Sequence, residues 1–68
     1  MYNKENVKKL FNAMGIKVGF GVIINDNCFE VVAIDKNDFV IGNHIYIWLG
    51  EIISKKQFYE NYKRLFDK

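Results

Sequence analysis

His44-Ile45-Tyr46-Ile47-Trp48-Leu49 alternates aliphatic with aromatic side chains. That two-residue period belongs to a β-strand. With Ile45, Ile47 and Leu49 on the core side, His44, Tyr46 and Trp48 point the other way. The aromatic row holds the only His and the only Trp of the chain. Such a row is either covered by another part of the fold or used to bind something.

Upstream, residues 16–24 alternate in the same manner, with Ile16, Val18, Phe20, Val22 and Ile24 on one side. Asn25-Asp26-Asn27 reads as a turn, and residues 28–34 as a second strand that is apolar on both sides apart from Glu30. Asp35-Lys36-Asn37-Asp38 is a second turn, Phe39-Val40-Ile41 a short strand, and Gly42-Asn43 a two-residue hairpin turn into the aromatic strand. Ile52-Ile53 adds a short fifth strand.

The turns set a register. A two-residue loop at Asp26-Asn27 places Asn25 opposite Cys28, Val22 opposite Val31 and Phe20 opposite Ala33. Closure at Lys36-Asn37 places Ile34 opposite Phe39, and closure at Gly42-Asn43 places Ile41 opposite His44. A first face then carries Phe20, Val22, Ile24, Phe29, Val31, Ala33, Val40, Ile45 and Ile47. A second face carries Val32, Ile34, Phe39, Ile41, His44, Tyr46 and Trp48. A one-residue slip in any hairpin exchanges the faces of that strand.

Helical patterns flank the strands. Val7, Leu10, Phe11 and Met14 fall on one stripe, with Asn3 as N-cap and Gly15 at the left-handed position that ends the helix. At the other end, Ser54 and Gln57 fit a capping box. Phe58, Tyr59, Tyr62, Leu65 and Phe66 then form an apolar arc. The expected fold is a single small α+β domain over residues 1–68: an N-terminal helix, an antiparallel meander of four or five short strands, strongly twisted or barrel-like, and a C-terminal helix. The order of elements resembles the double-stranded-RNA-binding fold, in which both helices lie on one side of the sheet. The stretch from Val18 to Val40 also resembles a small SH3-like barrel. Both likenesses are of topology and imply no function. Two apolar faces need cover on both sides, by one helix each, by curling of the sheet, or by another molecule.

Bulk properties narrow the function. Sixty-eight residues, half of them apolar, make one dense core without a disulfide, since Cys28 is alone. A net charge of +2 neither requires nor excludes a polyanion. No apolar run approaches the ~18 residues that span a bilayer, and the first residues lack a signal-peptide core, so no membrane partner and a cytoplasmic location are expected. Nine Lys to one Arg, abundant Asn and Ile, and no Pro point to A/T-rich coding, as in a low-GC bacterium or its phages and plasmids.

Catalytic chemistry has little to stand on. A Cys28–His44 nucleophile pair is conceivable, but a strand-end Cys is usually a small hydrophobe. The spacing supplies no metal site, and Gly19-Phe20-Gly21 sits inside a strand rather than before a helix, so it is no phosphate loop. No cofactor is expected. The expected function is a non-enzymatic protein-binding module, carried by a phage or mobile element, that inhibits or modulates a host nuclease or defence protein by contact, or that pairs with itself. His44, Tyr46, Trp48, Phe39 and Ile41 are its candidate contact residues. The alternative is a nucleic-acid-binding protein in which Lys8, Lys9, Lys17, Lys55 and Lys56 meet phosphates and the aromatics stack on bases.

Overall fold

The computed structural model describes residues 1–67. Its elements are α1 (Lys4–Ala13), β1 (Lys17–Asn25), β2 (Cys28–Ile34), β3 (Val40–Trp48), β4 (Glu51–Ile53) and α2 (Lys55–Phe66). The strands form one open antiparallel sheet in the order β1-β2-β3-β4. The fold is α+β, and β1 and β4 remain as separate edges, without barrel closure. Both helices begin where the caps predict. The Asn3 side chain accepts from the Asn6 amide at 2.8 Å, and Ser54 Oγ accepts from the Gln57 amide at 3.1 Å. Gly15 ends α1 with φ +78°.

One helix covers each face. α1 lies on the first face, where Val7 joins Val18, Phe29, Val31 and Ile47 in the core, with Phe11, Ile16, Phe20 and Ile45 packed around them. α2 lies on the second face, where its buried Phe58 meets Tyr46 and Trp48. This differs from the double-stranded-RNA-binding arrangement, whose helices share a side. The physical reason is β2: Phe29 and Val31 on one face and Glu30 and Val32 on the other are all buried, so neither face is left to solvent.

The register departs from the simple hairpins in two places. Asn25 opposes Cys28, but irregularities on either side of Ile23 bring Phe20 opposite Val31 and Val18 opposite Ala33. Phe20 and the β1 residues before it have slipped by two positions, which leaves their face unchanged, whereas Ile23 takes the place opposite Phe29 that was expected of Ile24. In β3 the expected turn at Gly42-Asn43 is an irregularity within one continuous strand, with Gly42 at φ +69°. The hairpin from β2 closes as Asp35–Phe39, around a three-residue loop that puts Asp38 at φ +67°. Val40 therefore opposes Ile34, and Ile41 opposes Ala33. That one-residue slip moves Ile41 to the first face and Val40 to the second, the reverse of the expectation. By alternation Phe39 also joins the first face.

Leu49 and Gly50 close the β3–β4 hairpin between the paired residues Trp48 and Glu51, both with positive φ (+51° and +81°). That is the signature of a type I′ turn, which prefers Asn-Gly. Gly50 is clamped: its carbonyl accepts from the Tyr2 amide at 2.9 Å, and its amide donates to the Asn27 carbonyl at 3.0 Å. Leu49 is 66% exposed, so its side chain offers little in return for the left-handed backbone. Leu49→Asn keeps the backbone bond from residue 49 to Cys28 Sγ and relieves the strain. The expected gain is about 0.5–1 kcal/mol, read as a higher urea midpoint with an unchanged slope.

Candidate functional site

Glu30 sits near the middle of the second face, only 7% exposed. A carboxylate in that position needs hydrogen-bond donors. His44, two residues from Tyr46 on β3, supplies one: its Nδ1 lies 2.8 Å from Glu30 Oε2. An ionised carboxylate can only accept, so this ring nitrogen carries the proton. The Val22 amide donates to Oε1 at 3.4 Å. The Tyr46 hydroxyl supplies another from across the β2–β3 ladder, where Tyr46 directly opposes Glu30. Gly21 makes the room, because a Cβ there would land on the carboxylate.

These partners set the electrostatics. Burial works to raise the Glu30 pKa, but the hydrogen bonds from Tyr46, His44 and Val22 outweigh it and hold the carboxyl below its ordinary 4.5. Burial, with the Glu30 charge beside it, pushes the Tyr46 phenol up to about 12. Tyr59, packed against Tyr46, is raised by burial and by Glu30 as well.

The expected contact residues therefore divide. Tyr46 is 6% exposed, beneath Phe58 and Tyr59 of α2, and so is closed to a partner. Trp48 is half-buried, edge-on to Phe58 with ring centroids 5.6 Å apart. His44 is partly open to solvent, while Phe39 and Ile41 lie free at the far end of the sheet. Between Phe39 and His44, sequence reasoning missed one member of this surface, Val40. Its exposure belongs to the free end of the strand, where Phe39 and Ile41 on the opposite face are exposed as well.

The open surface is an edge. β4 pairs only with Tyr46, Ile47 and Trp48 before Ser54 turns the chain into α2. The rest of β3, from Val40 to Ile45, has no neighbour on that side. Phe39, Val40 and Ile41 are 68%, 55% and 49% exposed. A groove of about 530 Å³ continues the line of β4 there, lined by Gly42–Tyr46 along β3 and by Ile52, Ile53, Ser54 and Lys55. The Phe39 carbonyl accepts from the Asp35 amide just past β2, so by antiparallel alternation the amides and carbonyls of Val40 and His44 point outward to the groove.

The five candidate lysines do not converge. Lys8 and Lys9 lie on α1 and Lys55 and Lys56 on α2, on opposite faces of the sheet. Lys9 pairs with Glu5 at 3.2 Å, and Lys17 with Asp38. Cys28 is buried, and its Sγ accepts from the Leu49 amide at 3.3 Å, while His44 is held by Glu30. The two do not form a nucleophile pair. Among the described residues, no three His, Cys, Asp or Glu side chains gather as a metal site, and no helix is long and apolar enough to cross a membrane. Compared with protein-family models, with curated proteins and with solved structures, the chain matches none.

Proposed function

We propose that the chain is a non-enzymatic protein-binding module, encoded by a phage or other mobile element. It acts in the host cytoplasm by direct contact with a host protein, such as a nuclease or defence protein, or with its own copy. One observation carries the reading: the exposed apolar run Phe39-Val40-Ile41 on a strand whose outer edge is open. Proteins that work alone blunt such edges with charges or proline. From Phe39 to Trp48 this chain has no Lys, Arg, Asp, Glu or Pro. Phe39, Ile41 and His44 make the contact, with Val40 beside them. Tyr46 and Trp48 act from beneath, by anchoring α2 and holding the strand rigid. The Lys-, Asn- and Ile-rich composition supports the mobile-element setting. The nucleic-acid alternative gains nothing from lysines spread over both faces.

Photocrosslinking in cells tests the proposal. A benzophenone side chain at position 41 is expected to give discrete protein adducts, and the same group at Lys8 on α1 none. Adducts to nucleic acid alone, or equal protein labelling from both positions, contradict it.

A further inference from the structure

We infer that the occupant of the open β3 edge is a second copy of the same chain, paired antiparallel along Val40–Ile45 about a two-fold axis to give one continuous eight-stranded sheet. The inference rests on the protein-contact reading above and names its partner.

Three features point to self-pairing. The first is the asymmetry of the two sheet edges. β1 carries two register irregularities and Lys17 at its start, which discourage further pairing. The open run of β3 has one irregularity, at Gly42, and no charge. A fold with one guarded and one unguarded edge forms a closed pair and stops there, because identical edges satisfy each other about a two-fold axis. The second is the ladder itself. Val40 and His44 each turn a donor and an acceptor outward, and the open run of six residues spans about 20 Å, the length of an ordinary strand. Antiparallel self-pairing uses the same groups from both copies, so no donor is left over.

The third is area. The chain exposes 4952 Å², about 500 Å² more than expected of a compact monomer of 8.0 kDa. Its radius of gyration is 12.3 Å, against about 11 Å for a compact chain of this length. Phe39, Val40 and Ile41 are among the exposed apolar side chains that make up this surface, and they lie beside the groove at Ile52 and Lys55. Val40 and Ile41, on opposite faces of the strand, would each face the other end of the second copy's run across the new ladder.

Sedimentation equilibrium of the purified chain tests this, alongside Val40→Lys and Ile41→Lys. Both positions are about half exposed, so each variant should fold; unchanged Trp48 emission verifies that. The wild type is expected at twice the 8.0 kDa chain mass. Each variant should dissociate at least a hundredfold more readily. A wild type that stays at the single-chain mass up to millimolar concentration overturns the inference, as does a dimer that both lysine variants leave intact. If the wild type is monomeric while position 41 still crosslinks another protein in cells, self-pairing falls and the protein-contact reading stands. If no protein adduct forms at position 41 at all, both fall.

Discussion

Phe58→Ala is expected to remove about 3–5 kcal/mol of stability, the usual cost of deleting a buried phenyl ring. A chain of 68 residues has about 3–10 kcal/mol in total. The substitution therefore takes most of it. Phe58 is the single fully buried side chain of α2. Its ring lies 5.3 Å from Tyr46 and 5.6 Å from Trp48, centroid to centroid. Losing it uncovers the second face, so the emission of Trp48 should shift to the red along with the fall in the denaturation midpoint. Phe66→Ala is the control. That ring packs mainly on Tyr62 of its own helix and is largely exposed, so its removal should cost less than about 0.5 kcal/mol. Equal losses from the two variants would mean that α2 is not held through its first turns.

The second large effect is alkaline. Tyr46 titrates near 12 in the folded chain, against 10 for a free phenol. The folded state prefers the neutral phenol, so its contribution is complete below pH 10. As pH rises the unfolded chain ionises first, and the contribution is lost through the folded value. Two pH units correspond to about 2.7 kcal/mol. Urea midpoints should be level below pH 10 and fall steeply between 10 and 12, with Tyr59 adding to the slope. Tyr46→Phe should flatten this limb, at a cost of about 1–2 kcal/mol at neutral pH from the lost bond to Glu30. At the acid end the sign reverses. The Glu30 carboxyl is held below 4.5, so its contribution is present above that value and is lost as pH falls through the folded pKa.

Much of the fold was legible because its signals are local. The alternation of residues 44–48, the Asn3 and Ser54 caps, the Gly15 stop and the Asn25–Cys28 hairpin all depend on neighbours in sequence. What was not legible lies beyond irregularities in the ladder. Gly42-Asn43 has the composition of a hairpin turn, yet β2 pairs with residues on both sides of it, and β3 runs straight through. That continuity, with the three-residue loop at 36–38, put Phe39 and Ile41 on the opposite face from Tyr46. Part of each helical stripe also stays uncovered: Leu10 and, just past α1, Met14, and Leu65 and Phe66 near the end of α2.

The candidate site changed for the same reason. The aromatic row was readable as a row, but its cover was not, because the same alternation serves a covered and an open face. Tyr46 and Trp48 are the floor under α2. The role of Glu30 was hidden as well: a lone acid in an apolar strand gains meaning only when His44, Tyr46 and Gly21 arrive beside it from two other strands. The open edge could be found only after β4 proved to be three residues long.

The most direct test of β3 as the contact edge is amide hydrogen exchange at Val40 and His44, followed by NMR in concentrated and dilute protein. Neither amide has a partner strand within its own chain on that side. Both are expected to exchange slowly in concentrated solution and fast on dilution, while Ile45 and Ile47, bonded toward β2, stay protected throughout. Fast exchange at Val40 and His44 at every concentration, with or without a candidate partner, would contradict that role for β3.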